Sequence, residues 1–90
     1  MAVRTVRAMP TLLRVGPFRF MVMFDCLERP HIHVRGGSLG EAKLWLLPSV
    51  SVATTWGYTP TELARIRLIV ARNVEVLIDR WLQTCQDMTT

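Results

Sequence analysis

The chain has 90 residues, half of them apolar, and a formal charge of +4 that comes from ten arginines and one lysine against seven carboxylates. That length suits one core and is too short for two, and the apolar content with no low-complexity segment excludes a disordered chain. No apolar run approaches the roughly 20 residues needed to cross a bilayer, and the N-terminus lacks the apolar stretch of a signal peptide, so a cytoplasmic protein without membrane contact is expected.

A core of this size is thin, burying roughly 60–65% of the unfolded surface, so a homodimer or a partner chain would add to it. The arginine-rich, lysine-poor usage has two readings. One is coding bias in a GC-rich genome; the other is contact with phosphates, which suits the planar guanidinium fork. Cys26 and Cys85 lie far apart without a CxxC spacing and read as two free thiols in a reducing compartment.

In chain order, residues 1–8 are small and basic without periodicity and read as a disordered lead to a single domain over residues 9–87. Thr11–Val15 and Phe18–Phe24 read as two strands around Gly16-Pro17, with Phe18, Phe20, Val22 and Phe24 on one face and Arg19, Met21 and Met23 on the other. Asp25–Pro30 is a polar connection. His31–Arg35 alternates again, Gly36–Gly40 must turn, and Glu41–Leu47 returns as a strand ended by Pro48. Ser49–Ala53 reads as a short edge strand, and Trp56 as packing in the loop before the helix.

The helical start is the best-marked boundary: Thr59 as N-cap, Pro60 at the first helical position and Glu62 completing a capping box. Leu63, Ile66, Val70, Val74, Leu77 and Trp81 recur at helical spacing, with Trp81 a core anchor. Leu68, Ile69, Val76 and Ile78 widen the apolar surface beyond one stripe, so either Asn73 divides two helices or a second face meets a partner. Arg65, Arg67, Arg72 and Arg80 read as solvated helix surface or as a basic face. The expected fold is α+β: an antiparallel four- to five-stranded meander followed by one long or broken C-terminal helix.

The only two histidines, His31 and His33, sit two apart on a strand, with Cα atoms about 6.5–7 Å apart and side chains on one face. The apolar sets Ile32/Val34 and Ala42/Leu44/Leu46 need a common core, which fixes the hairpin register. Arg35 then faces Glu41, His33 faces Lys43 and His31 faces Trp45. Such a face suits metal-independent RNA cleavage, with one imidazole as base, the other as acid, and Lys43 or Arg35 stabilising the transition state. Lys43 beside His33 favours a neutral imidazole, Trp45 offers a stacking surface for a base, and Arg35, Trp45 and Glu41 complete the substrate side.

Two other readings stay open. The same residues form an ordinary polar ladder on a wet sheet face, or they hold a metal with a third ligand from Asp25, Cys26, Glu28 or Glu41. Metal ranks last, because no spacing matches a known zinc pattern, and neither metal nor cofactor is expected.

The stretches MPTLLRVG, RPHIHV, GEAKLWL and GYTPTEL, with helical Asn73 and Trp81, together resemble a bacterial family, domain-of-unknown-function family forty-one sixty. The likeness covers residues 9–85. Family members read Glu-Pro-Pro-His-x-His-Val where this chain has Glu28-Arg29-Pro30-His31-Ile32-His33-Val34, so Arg29 departs from the pattern. Their Gly-x-Ala-Lys followed by an aromatic or Trp-Leu pair matches Gly40–Leu46. The resemblance implies a toxin–antitoxin setting, with a cognate small protein encoded nearby, and implies no activity. The expected function is therefore a component of such a pair that cleaves RNA as a toxin through His31, His33 and Lys43. The competing class is a non-enzymatic interaction module that binds a partner protein or nucleic acid.

Overall fold

A computed structural model describes residues 10–23 and 26–89; the expected disordered lead and Phe24 lie outside the described residues. Five strands, β1 (Thr11–Val15), β2 (Phe18–Met21), β3 (His31–Gly36), β4 (Glu41–Trp45) and β5 (Ser51–Trp56), form one antiparallel meander in sequence order. Two helices follow, α1 (Pro60–Arg72) and α2 (Val74–Thr89). The class is α+β, and Asn73 is the break between the helices. Its amide donates through Nδ2 to the Ile69 carbonyl at 2.7 Å and its backbone N–H reaches Ile69 and Val70 carbonyls at 3.2 Å. The backbone N–H thus completes the last turn of α1 and also reaches the Val70 carbonyl, which in a continuous helix would pair with residue 74, while the Asn73 carbonyl accepts from Leu77 N–H and starts α2.

The inner sheet face buries Phe18, Phe20, Val22, Ile32, Val34, Ala42, Leu44 and Leu46 against Ile66, Val70, Leu77 and Trp81 of the helices. At roughly 1.5–3 kcal/mol per large apolar side chain, this contact supplies most of the drive to fold. Trp81 is only 4% exposed, as expected of a core anchor. The helices pack on this inner face; on the outer face Met21 and His31 are also fully buried, while Arg14, Thr11 and Trp56 are exposed.

The β3–β4 turn is tied to the start of α1. Thr59 and Glu62 form the expected capping box, and Glu62 also accepts from the Ser38 backbone N–H at 3.2 Å and its hydroxyl at 3.0 Å. The Tyr58 hydroxyl donates to the Gly36 carbonyl at 2.9 Å. Gly36 takes φ +104°, and a Cβ there would lie 2.0 Å from the Pro17 carbonyl oxygen, so only glycine lets the turn close against β2.

Two expectations are corrected. Cys26 and Cys85 are not free thiols: they form a disulfide with a Cα–Cα distance of 5.6 Å. Their 59-residue separation conceals this, because the chain after β2 comes back over the far end of α2. Trp56 is not loop packing. It ends β5, is 60% exposed and pairs with Glu41.

Candidate functional site

The hairpin register matches the expectation from the glycine loop: His31 opposite Trp45, His33 opposite Lys43, Arg35 opposite Glu41. Directly opposed residues in an antiparallel pair share a face, so the ladders extend these pairs into rows across the whole outer face. Arg14, Arg19, Arg35, Glu41 and Trp56 form one row. Thr11, Met21, His33, Lys43 and Thr54 form the next.

His31 does not lie on a wet face. It is fully buried, its ring edge-on to Trp45 at 5.7 Å, Trp81 at 5.9 Å and His33 at 5.1 Å between centroids. Its Nδ1 lies 2.8 Å from the Arg29 carbonyl oxygen. A carbonyl only accepts, so Nδ1 carries a proton and the ring orientation is fixed. The strand alternation placed His31 correctly on the outer side; what it could not show is that Trp45 and Trp81 close around the ring at the start of β3.

His33 is half-buried and lines a cleft of about 100 Å³ with Arg35, Glu41, Lys43, Thr54 and Trp56. Arg35 Nε pairs with Glu41 at 2.5 Å, and Lys43 Nζ pairs with Glu28. The indole of Trp45 has Lys43 Nζ 4.6 Å and the Arg29 guanidinium 4.0 Å from its centroid. Arg19 Nε donates to the Thr11 hydroxyl at 2.6 Å.

The segment Cys26–Pro30 is a strap along one side of this site. Cys26 is bonded to α2, Glu28 meets Lys43, Arg29 lies on Trp45 and bonds His31, and the Pro30 carbonyl accepts from Leu46 N–H at 2.9 Å. Of the residues considered as a third metal ligand, Cys26 is in the disulfide, Glu28 and Glu41 are in ion pairs, and Asp25 is outside the described residues.

Sequence reasoning brought together His33, Lys43, Arg35, Glu41 and Trp45 but missed Arg14, Arg19, Arg29 and Trp56. The first two had a signal. A two-residue Gly16-Pro17 turn pairs Val15 with Phe18, and hence Arg14 with Arg19. Trp56 had none, because β5 slips register between Lys43 and Leu44.

Among the described residues no helix is long and apolar enough to cross a membrane. No curated protein and no solved structure matches the chain. The model of the family described as Domain of unknown function (DUF4160) matches residues 18–82, a stretch that holds the hairpin, the strap, β5 and both helices up to Leu82. The chain belongs to this family.

Proposed function

We propose that the protein is an RNA-binding component of a toxin–antitoxin-type pair, acting in the cytoplasm with a small cognate protein, and that RNA meets the outer face of the β3–β4 hairpin. One observation carries this: the register sets His33, Arg35 and Lys43 side by side along a cleft, with the Trp45 indole against Lys43, which joins cations for phosphate to an aromatic surface for a base. Lys43 and Arg35 each hold one carboxylate partner that an incoming phosphate displaces. The test is a gel shift with total cellular RNA, in which Lys43→Ala combined with His33→Ala weakens binding at least fivefold. Unchanged binding overturns the reading.

Cleavage is the second reading, favoured by His33 beside Lys43 in the cleft. With His31 buried, the two-imidazole exchange is not open to substrate in this conformation, and His33 is the imidazole that substrate reaches. RNA incubated with the protein in chelator, with His33→Ala as the control, tests it: cleavage that persists in the variant sinks the histidine mechanism. Co-purification with the product of the neighbouring gene tests the pairing.

A further inference from the structure

The charge of the molecule is divided unevenly between its two layers. The helices carry Arg65, Arg67, Arg72 and Arg80 against Glu62, Glu75, Asp79 and Asp87, four of each sign, and are neutral as a layer. Among the described residues, the outer sheet face with its strap carries Arg14, Arg19, Arg29, Arg35 and Lys43 against Glu28 and Glu41, an excess of three positive charges. Arginine itself is split evenly, four in each layer, so coding bias for arginine does not set the difference; it arises because the sheet face holds two carboxylates where the helices hold four, and adds Lys43.

Within the face, Arg14, Arg19 and Arg35 stand in one row across β1, β2 and β3. Neighbouring strands are about 4.8 Å apart, so the three Cα atoms span roughly 10 Å at right angles to the strands. The row continues through Glu41 to Trp56, whose indole is 60% exposed at the far edge. A line of guanidinium groups ending in an open aromatic ring is the combination that holds a backbone by charge and a base by stacking.

The shape selects the form of nucleic acid. The major groove of B-form DNA, about 12 Å wide, admits a helix or a two-stranded ribbon, and that of A-form RNA is too narrow for side chains to read. A five-stranded sheet presenting its broad face enters neither. An unpaired strand, by contrast, lies flat on such a face with its bases free to stack.

We infer that the row Arg14–Arg19–Arg35, ending at Trp56, is a track for single-stranded nucleic acid, with phosphates along the arginines and a base on the indole. This rests on the RNA-binding reading and extends it beyond the hairpin to two strands and an aromatic edge that the reading does not use.

The experiment is fluorescence anisotropy of the full chain with a labelled 12-nucleotide oligouridine, the DNA counterpart, and a 12-base-pair RNA duplex, over a salt series. Wild type binds a single strand at least tenfold tighter than the duplex, although the duplex carries more charge, and the tighter of the RNA and DNA arms names the source. Arg14→Gln with Arg19→Gln weakens single-strand binding more than tenfold and flattens the slope of log K against log salt by about 1.4. Trp56→Ala weakens binding about tenfold and leaves that slope unchanged. Both sites are at the surface, and an unchanged thermal midpoint shows the variants folded.

Duplex binding equal to or tighter than single-strand binding overturns the track, as does an Arg14/Arg19 variant within twofold of wild type. Polyglutamate competing as well as oligouridine also overturns it, since an acidic protein partner would then fit the face equally. If wild type binds RNA and only the His33/Lys43 variant loses it, the track falls and the hairpin reading stands. If wild type binds neither RNA nor single-stranded DNA, both fall; if it binds single-stranded DNA alone, the RNA reading falls and the track stands.

Discussion

His31 and His33 differ by two positions and by almost everything a side chain experiences. His31 has no exposed surface, three aromatic neighbours and a hydrogen bond to the Arg29 carbonyl, whereas His33 looks into the cleft. Removing His31 opens a void beneath Trp45 and Trp81 and takes away the Arg29 carbonyl's hydrogen-bond donor. His31→Ala should therefore cost on the order of 2 kcal/mol. His33→Ala should cost less than about 1 kcal/mol, in the range of surface changes, while it weakens RNA binding. Urea titration of both variants, with RNA affinity measured on each, separates the roles. If His33→Ala destabilises as much as His31→Ala, His33 belongs to the core and not to the interface. A single HxH spacing thus serves two purposes, one histidine fixing the approach to the strand and the other meeting solvent.

At the scale of elements, the site depends on two attachments of the sheet to the helices. The first is Glu62, whose carboxyl is held below the ordinary value near 4.5, chiefly by the Thr59 backbone N–H and further by Ser38, against an opposing contribution from burial. A carboxyl with a depressed folded value stabilises the fold above about pH 4.5 and loses that contribution as pH falls through the folded value. The stability difference between wild type and Glu62→Gln should accordingly be full at pH 7 and close progressively below about pH 4.5, as read from denaturant unfolding at each pH; a gap that stays constant down to pH 3 removes Glu62 from the account. The second attachment is the disulfide that anchors the strap. Closing a 59-residue separation removes loop entropy worth about 4 kcal/mol on the chain-entropy model. Cys26→Ser should lower stability by up to that amount in oxidising buffer and by little in strong reductant, where wild type has lost the bond too. Much of this architecture was legible. The meander, the hairpin register and the capping box follow from alternation, a glycine turn and Thr59-Pro60 with Glu62, all signals within a few residues of each other. What stayed hidden depends on contacts between distant segments: the Cys26–Cys85 bond, the Trp81 ring against His31, and the slip of β5 that turns Trp56 outward.

For the molecule as a whole, a net charge of +4 is too modest to say what the protein binds, and it is the placement of that charge that carries information. Exposed charges farther apart than about 8–10 Å are screened from one another at physiological salt. The neutral helix layer therefore contributes little field on the opposite side of the sheet, and the three excess positive charges of the outer face act there locally. This separates two explanations of any nucleic-acid binding that is measured. If bulk charge were responsible, every arginine would matter alike. If the outer face is responsible, two substitutions with the same change in net charge will differ. Arg67→Gln with Arg72→Gln, both on exposed positions of α1, should leave oligouridine affinity at 100 mM salt within twofold of wild type. Arg14→Gln with Arg19→Gln removes the same two charges from the sheet and should cost more than tenfold. Running the two double variants side by side, with identical net charge and one salt series, makes the comparison independent of the absolute affinity. Equal losses in the two would mean that the segregation of charge has no bearing on binding, and the face would lose its claim as an interface.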